Sequence, residues 1–392
     1  MGRARVANGR SAIVGIGESQ YYKRGGSPYS EFQLACIAIR DAAEDAGLAL
    51  EDIDGFVSFL DARNDPVRLS AALGVRAVNF AAQCWGGGGN GVAATIALAD
   101  AAVTAGYART VVAFRALAQG QFGRYGRTRT LDRAAGPQAF TAPYGVTTAA
   151  QVCAMQTTRF MHEHRVTSEA LADVALAAYA HAQRNPRAIY HGRPLTRAAY
   201  HAARWIAEPF HLYDCCQEND GAAAVIVTSA ERARDLRRRP VAILAAAQGI
   251  ERGGGIPAYN ETGFPTAHYR HVGRELWARA GVKPDDVDVA QFYENFTGPV
   301  LMAIAEMGFC APDEVGAFVG GDNLRWPDGR LPLNTSGGNL AEAYSHGFEL
   351  INEAVRQVRG ESTSQVDRVE LSLAVAGPGY APGSAALFCP LA

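Results

Sequence analysis

The chain has no long hydrophobic run. No apolar stretch among its 392 residues reaches the length of about 18 that a membrane-spanning helix requires, so we expect no membrane span. The basic N-terminus, Met-Gly-Arg-Ala-Arg, is not followed by an apolar segment, which predicts that no secretory signal peptide is present.

The number of cysteines and the fraction of charged residues are also low. The seven cysteines are odd in number and form no Cys-x-x-Cys pair, so neither a disulfide framework nor a structural zinc site is indicated. With 19% charged residues and a formal net charge of -2, the chain has no electrostatic feature that favours nucleic acid. The 48% hydrophobic content is typical of a globular protein, and the unpaired cysteines favour the reducing cytoplasm. We expect no bound metal.

A weak internal repeat runs through the chain. The same offset of 234 residues separates Gly47 from Gly281 and Asp52 from Asp286. Each glycine is predicted to end a helix in the left-handed conformation, and each Asp-rich turn leads into an apolar, strand-like run. The repeat predicts two related halves, residues 1–239 and 240–392.

Strand-like and helix-like segments alternate in both halves, which predicts an α/β fold with buried sheets. We expect an Ala-rich helix at 92–105, with Gly106 as its stop, and a capping box at Ser30–Gln33 that opens the first helix. The pattern changes between about 116 and 214, where helices are predicted at 148–164 and 168–182. We interpret this stretch as an insertion in the first half that covers a ligand site. Strands are predicted at 11–17, 110–114, 222–227, 240–249, 369–376 and 384–388.

Three segments carry a family resemblance. Residues 333–347 read Leu-Asn-Thr-Ser-Gly-Gly-Asn-Leu-Ala-Glu-Ala-Tyr-Ser-His-Gly. This resembles the catalytic loop of the thiolase superfamily, Asn-x-x-Gly-Gly-x-x-Ala-x-Gly-His-Pro-x-Gly, with Tyr344 in place of the catalytic His. Residues 214–224 are similar to the family's Cys-x-x-x-Asp-Gly-Ala-Ala-Ala segment. Tyr293-Glu294-Asn295-Phe296 resembles its His-Asp-x-Phe or Asn-Glu-x-Phe segment.

The resemblance covers nearly the whole chain and is strongest to the lipid-transfer, or sterol-carrier, branch. It implies a five-layered αβαβα fold, a homodimer and an acyl-coenzyme A thioester as substrate, with no separate cofactor. The family's nucleophilic Cys corresponds here to Gly88 or Gly89, and its second Cys is missing from 374–379. Without these thiols an acyl-enzyme is not expected. One alternative keeps thiolase or acyltransferase chemistry by moving Cys84 into the site.

Two tyrosines at catalytic positions suggest a different reaction. A β-hydroxyacyl thioester can break its Cα–Cβ bond in a reverse aldol reaction, which requires one base and one acid. A phenol with a pKa near 10 is a poor base unless its surroundings help, but it is a good hydrogen-bond donor. The pair resembles that of the steroid side-chain-cleaving aldolase subunits of actinobacteria. That resemblance implies Tyr344 as the base, Tyr293 as the acid and a small partner with an OB-fold and a zinc ribbon.

Other residues join the candidate site. Glu294 either orients a neighbour or caps the following helix, and His346 is an alternative base two residues beyond Tyr344. Because a lone tyrosine at a strand end is usually a packed core residue, a non-catalytic subunit that binds lipid thioesters stays a further alternative. The backbone N–H groups of the glycine-rich loop, at a helix N-terminus, suit an oxyanion. The expected substrate-binding residues are Gly88, Gly89, Asn90, Asn295, Gly338 and Gly377.

Overall fold

The computed structural model describes residues 9–59, 63–86, 88–122, 133–251 and 263–392, and the statements below concern these residues. Strands and helices alternate along the chain as the sequence predicts. The strands are β1 (Ser11–Glu18), β2 (Tyr22–Lys23), β3 (Gly55–Phe59), β4 (Phe80–Cys84), β5 (Thr110–Ala118), β6 (Trp205–Ala207), β7 (Phe210–His211), β8 (Asn219–Ser229), β9 (Val241–Gly249), β10 (Val289–Phe292), β11 (Ser372–Ala376) and β12 (Gly383–Pro390). The helices are α1 (Glu31–Ala46), α2 (Pro66–Leu73), α3 (Val92–Thr104), α4 (Ala149–His164), α5 (Ser168–Ala182), α6 (Arg197–His201), α7 (Ala230–Ala233), α8 (Arg270–Ala280), α9 (Thr297–Glu306), α10 (Val315–Val319) and α11 (Phe348–Arg359).

The two halves of the chain repeat one strand topology. The main sheet runs in the order β10-β11-β12-β9-β1-β8-β5-β3-β4, with β2 beside β8. In the first half β1 and β8 pair antiparallel, β8 and β5 antiparallel, and β5 and β3 parallel. In the second half β9 and β12, β12 and β11, and β11 and β10 repeat this pattern. The halves join where β1 meets β9 in a short antiparallel contact.

Helices separate and cover the two sets of strands. Helix α3 packs against β5 and β8 of the first half and against β9 and β12 of the second. Helix α11 also contacts strands of both halves, so α3 and α11 form a central layer. Helix α1 covers the outer side of the first set, and α8 covers the outer side of the second. The result is the five-layered α/β arrangement that the thiolase resemblance implies.

Local signals in the sequence place the helix ends correctly. The Ser30 side chain accepts a hydrogen bond from Gln33 N–H, and the Gln33 side chain accepts from Ser30 N–H, forming the expected capping box. Gly47 and Gly281 end α1 and α8 with φ values of 72° and 66°, in the left-handed region that glycine enters at little cost. The repeat found in the sequence therefore corresponds to two structurally equivalent helix ends.

Strand lengths differ from the expected bounds. Strands β5 and β8 are longer than predicted because they pair with each other as far as Ala118 and Asp220. Strand β11 starts later, because the N–H groups of Glu370 and Leu371 donate to the Asp288 carboxylate and are not available to a neighbouring strand. The insertion occupies the chain between β5 and β8. Its helix α5 packs against the π-helical turn Gly338–Glu342.

None of the helices in the described ranges combines the length and the apolar character needed to cross a membrane.

Helix α1 lies directly on the backbone of β1, and this contact yields a stability prediction. A Cβ at Gly17 would lie 2.1 Å from Ala38 O and 2.3 Å from Ala42 N. We expect Gly17→Ala to lower the free energy of unfolding by about 3 kcal/mol, since the helix would have to move outwards. A Cβ at Gly316, in α10, would meet no atom within 4 Å. The control Gly316→Ala should be neutral or slightly stabilising in urea unfolding. Equal losses in both variants would contradict this packing.

Candidate active site

Two phenol groups meet inside the protein. Tyr293 directly follows β10, and Tyr344 lies 51 residues later on the loop that precedes α11; their hydroxyl oxygens are 2.6 Å apart. Both side chains are buried, with exposures of 3% and 8%. They line a cavity of about 320 Å³. The structure thus brings together the two residues that the sequence predicts to act as a pair.

Glycines on either side hold the Tyr293 ring. A Cβ at Gly89 would lie 2.1 Å from Tyr293 Cε2, and one at Gly347 would lie 2.5 Å from Tyr293 Cδ2. Neither position has room for a side chain while the ring is there. The ring therefore excludes a cysteine side chain at position 89, one of the two positions that correspond by resemblance to the family's nucleophile. A Cβ at position 88 would meet no atom closer than 3.6 Å.

The loop that carries Tyr344 is fixed to β10 by an asparagine. Asn334 Oδ1 accepts from Phe292 N–H at 2.7 Å, and Asn334 Nδ2 donates to Phe292 O at 2.9 Å. Its φ of 53° puts it in the left-handed region that asparagine tolerates better than most residues. Asn334 therefore shapes the loop and does not line the cavity, and it sets the spacing between the segments of Tyr293 and Tyr344.

The segment before β8 forms one wall of the cavity. Cys216 N–H donates to Asn295 O at 2.8 Å, and Gln217 N–H donates to Asn339 O at 3.3 Å. Asn219 Oδ1 accepts from Tyr344 N–H. The segment therefore links the two catalytic loops. Sequence reasoning recognised it as a family motif but assigned it no role, because its contacts are with residues more than 70 positions away.

Burial controls the ionisation of the tyrosine pair. It raises the pKa of both Tyr293 and Tyr344 well above 10, and the nearby Cys216 thiol acts in the same direction on each. The Cys216 thiol lies within hydrogen-bonding reach of Tyr344, and burial raises its own pKa well above 9. At neutral pH the resting site therefore holds two phenols and a thiol, which are donors and weak acids.

His346 lines the same cavity, but its environment does not suit a base. Its ring is T-shaped to that of Tyr344, with centroids 5.4 Å apart, and it is 2% exposed. Burial, and then the cations Arg115 and Arg63, lower its pKa well below 6.5. Arg115 Nε donates to His346 Nδ1 at 3.4 Å, which occupies the nitrogen that would accept a proton. The expected alternative role of His346 as the base is therefore unfavourable.

Glu294 lies beneath the catalytic loop and not in the cavity wall. A Cβ at Gly338 would lie 1.8 Å from Glu294 Oε1, so only glycine allows the turn to close over this carboxyl. Burial raises the pKa of Glu294 to about 8, and the nearby Asn334 amide and backbone N–H groups of the turn act in the opposite direction. Glu294 therefore supports the loop as an uncharged acid, and its predicted catalytic role would have to act through the turn.

The expected substrate-binding residues divide into two groups. Gly88 and Asn295 line the cavity. Asn90 instead donates through Nδ2 to Tyr380 O and Pro382 O and joins two loops. Gly377 O accepts from the Tyr269 hydroxyl at 2.8 Å. The glycines at 89, 338 and 377 and Asn90 therefore shape the site and do not line the cavity.

Two further features complete the cavity wall: the insertion covers the cavity, as the sequence predicts, and a tyrosine that was not predicted stands at its entrance. The N-terminus of α4, where Thr148 and Gln151 form a capping box, faces the cavity and covers it from the insertion. Tyr380, 36% exposed, stands at the entrance. A Cβ at Gly88 would lie 3.6 Å from the Tyr380 hydroxyl and 3.9 Å from that of Tyr293. The Gly-Pro-Gly-Tyr sequence at 377–380 is typical of a turn, and this turn was the feature of the sequence from which an exposed Tyr380 could have been predicted.

Cys84 ends strand β4 and packs against the core beside α3, and it is not among the described residues that line the cavity. Burial raises the pKa of its thiol to about 12. A thiol in this state is a poor nucleophile. The alternative in which Cys84 serves as the thiolase nucleophile is therefore not supported. In the described part of the chain no group of three or more His, Cys, Asp and Glu side chains could hold a metal ion.

The raised pKa of Glu294 predicts how stability depends on pH. Because this pKa is raised from 4.5 to about 8 on folding, the folded protein binds more protons than the unfolded chain between these values, so stability falls as pH rises through that range. We expect Glu294→Gln to show a smaller loss than the unchanged protein when urea unfolding is measured at about pH 5 and about pH 8. The exposed Glu370→Gln should not change the dependence. Parallel losses in all three proteins would contradict the assignment.

Known proteins resemble this chain in sequence and in fold. A family model described as thiolase C-terminal domain-like matches residues 258–387. The 17-hydroxy-3-oxo-4-pregnene-20-carboxyl-CoA lyase of Mycobacterium tuberculosis is 41% identical over 381 residues, covering 95% of this chain and 98% of that protein. The steroid side-chain-cleaving aldolase of Thermomonospora curvata is 40% identical over 389 residues, covering 95% and 96%.

Solved structures agree with these sequence relationships. The Ltp2-ChsH2(DUF35) aldolase superposes with a TM-score of 0.91 at 39% identity, over 99% of both chains. Human mitochondrial 3-ketoacyl-CoA thiolase superposes with a TM-score of 0.68 at 13% identity, over 99% and 100%, which shows a common fold. The chain therefore belongs to the thiolase superfamily, and within it to the carbon–carbon lyases that include the steroid side-chain-cleaving aldolases.

Proposed function

We propose that this lyase cleaves a β-hydroxyacyl-coenzyme A by a retro-aldol reaction, and that its substrate is a 17-hydroxy steroid side-chain thioester that yields a C17 ketone and propionyl-coenzyme A. The main observation in support is the buried pair of phenols, Tyr293 and Tyr344, on the wall of a cavity. Their hydroxyl oxygens are 2.6 Å apart. The two similar proteins are a pregnene-carboxyl-CoA lyase and a steroid side-chain-cleaving aldolase, which supports a steroid as the acyl group of the substrate. Coenzyme A enters as part of the substrate and not as a cofactor.

The reaction needs one proton removed and one proton delivered. In the proposed sequence the resting pair of phenols first loses one proton to solvent, which makes Tyr344 a phenolate in a form that is minor at neutral pH. This phenolate takes the proton of the β-hydroxyl, and the electrons of that O–H bond form the C=O bond of the ketone. The Cα–Cβ bond breaks, and its electron pair becomes the thioester enolate. Tyr293 then donates its hydroxyl proton to Cα, which gives the saturated acyl thioester and leaves Tyr293 as phenolate.

The hydrogen bond between the tyrosines returns the site to its starting state. After one turnover Tyr344 carries a proton and Tyr293 lacks one. A proton transfer across the 2.6 Å contact restores the phenolate at Tyr344 without a proton from solvent. The pair thus acts with a single negative charge that moves between two oxygens, so the balance of protons closes within the site. The close contact favours a shared proton over two separate ionisations.

Enolate charge needs stabilisation by donors that are already in place. The glycine-rich turn Gly88–Gly91 leads into α3, whose N-terminus carries partial positive charge. Gly88 lines the cavity next to Tyr293. Backbone N–H groups here suit the enolate oxygen, because they are oriented by the turn before the reaction begins.

Space beside the cavity supports a bulky substrate. A second groove of about 590 Å³ runs along α4 and shares Gln151 with the catalytic cavity. Its apolar lining residues are Val146, Ala154, Met155, Ala207 and Phe264. Met155, which is 42% exposed, is one of its lining residues, and methionine adapts to irregular apolar ligands. The combined space suits a rigid apolar ring system whose reactive end reaches the tyrosines.

Two kinds of partner belong to the proposal. The similar solved aldolase is a complex of Ltp2 with ChsH2(DUF35), which supports a second protein as partner. The family resemblance implies that this partner carries an OB-fold and a zinc ribbon. A second copy of this chain suits β4, because this strand ends the main sheet and Trp85 beside it is 89% exposed. A coenzyme A substrate and seven free cysteines are compatible with the cytoplasm.

The proposal is tested by co-expressing the chain with its zinc-ribbon partner and supplying the 17-hydroxy steroid thioester without free coenzyme A. Mass spectrometry should detect a C17 ketone and propionyl-coenzyme A. Products that appear only when free coenzyme A is added would indicate thiolysis and contradict the proposal. Binding of the thioester without either product would favour the non-catalytic binding subunit.

The tyrosine pair gives a sharper prediction in the same assay. Tyr344→Phe and Tyr293→Phe should each lower kcat by about 100- to 10,000-fold, as expected for the loss of a general acid or base. Thioester binding and folding should persist, because each change removes one oxygen atom. Tyr179→Phe removes a hydroxyl from a buried side chain of α5 outside the cavity wall and serves as the matched control. Near-normal rates in both site variants would refute the assignment.

Self-association can be measured independently of activity. If two copies pair through β4, Trp85→Glu should shift the chain from dimer to monomer in sedimentation, because it places charge at the edge of the interface. Val67→Glu, at an α2 position that is 78% exposed, is the control and should leave the dimer intact. A monomeric unchanged protein, or a dimer that tolerates Trp85→Glu, would show that β4 is not the interface.

A further inference from the structure

Glu349, in the first turn of α11, is the first acid that follows the loop of Tyr344 in the sequence. Its side chain is fully buried. Oε2 accepts from Ser345 N–H at 3.0 Å, and Oε1 contacts Asn339 Nδ2. Asn339 belongs to the π-helical turn before Tyr344, and Ser345 follows Tyr344 directly. One carboxyl group therefore ties both sides of Tyr344 to the start of the helix.

The groups that face this carboxyl are mostly acids. Glu342 and Glu294 act on it from the catalytic loop and from the segment after β10, and both effects raise its pKa. Burial is the larger cause, and together they raise the pKa of Glu349 well above 4.5. Glu349 in turn acts on Tyr21 and Tyr293 and raises the pKa of each phenol. Burial and both neighbouring acids therefore favour the protonated form of Glu349.

We propose that Glu349 is a positioning residue of the retro-aldol reaction: as an uncharged acid it holds the turn of Tyr344 against α11 and leaves the tyrosine pair free to ionise. This inference rests on the proposed function. It assigns a role to a buried acid that takes no part in the proton transfers described above.

The uncharged state of Glu349 matters because the pair of Tyr293 and Tyr344 has to carry a negative charge in the proposed reaction. A carboxylate in the same buried region would oppose a phenolate at Tyr293, and the repulsion is weakly screened in the interior. A protonated carboxyl removes this repulsion and keeps its two contacts. The amide of Asn339 can present either nitrogen or oxygen to the carboxyl, so the acid O–H has an acceptor. The tether therefore requires no charge.

Two substitutions separate tethering from proton transfer. Glu349→Gln keeps an acceptor for Ser345 N–H and a polar contact to Asn339, so its kcat at neutral pH should stay close to that of the unchanged protein. Glu349→Ala removes the tether and should lower kcat about 100-fold through displacement of Tyr344, with KM little changed. The rate should rise with pH as the pair ionises, and in Glu349→Gln this rise should continue to higher pH, since no carboxylate forms.

A spectroscopic readout is independent of turnover. The near-ultraviolet absorbance of tyrosinate is titrated with base in the full chain and in its Tyr344→Phe variant, and the difference isolates the pair. A carboxylic acid is intrinsically a much stronger acid than a phenol, so we expect a carboxylate at position 349 to be present when the phenols titrate. Without it, the pair should ionise at lower pH in Glu349→Gln than in the unchanged protein. Glu353→Gln, one turn further along α11 and bonded to Thr335, is the matched control and should give no shift.

Each outcome decides the proposal. If Glu349→Gln is as slow as Glu349→Ala while both fold, the proton or charge of Glu349 is required, and the uncharged tether is refuted. Full kcat in Glu349→Ala refutes the positioning role. An unshifted tyrosinate titration in Glu349→Gln shows that the acid does not act on the pair. If the unchanged chain cleaves no thioester, the proposed function fails, but the titration still decides whether Glu349 controls the tyrosines.

Discussion

The close contact between two buried phenols depends on glycines at positions where other residues would collide with a ring. Tyr293 reaches Tyr344 only because Gly89 and Gly347 leave room for the Cδ2–Cε2 edge of its ring. By resemblance, position 88 or 89 corresponds to the nucleophilic cysteine of a thiolase. The ring and a side chain at position 89 exclude each other, so a thiol at that position and the proposed pair of phenols could not share this site.

The duplicated fold supplies the surroundings of this contact. Both tyrosines lie in the second half of the chain, whereas the glycine-rich turn lies in the first. The central helices α3 and α11 begin beside the cavity, so their N-termini face the reacting groups. The insertion adds α4 as a cover and the 215–219 segment as a wall. The cavity is thus assembled from three separate parts of the chain.

Desolvation is the common influence on the site. Burial favours the uncharged forms of Glu294, Glu349 and His346 and keeps both phenols protonated at rest. Each of these groups would behave differently in water. The raised carboxyl pKa values lower the stability of the fold as pH rises. In the proposed reaction, few charged groups near the tyrosine pair compete with the phenolate for the hydrogen-bond donors of the cavity.

Short-range signals in the sequence determined the helix caps at Ser30, Gly47 and Gly281, the repeat of the two halves and the loop that carries Tyr344. The caps depend on residues a few positions apart, the repeat depends on matching positions in the two halves, and the loop is recognised by a motif whose glycines are retained. The tertiary structure alone decided the ends of β5 and β8, the place of Cys216 and Gln151 in the cavity, and the charge states of Glu294, Glu349 and His346. These properties depend on strand partners, packing neighbours and loss of water, which come from residues distant in the chain and leave no local pattern.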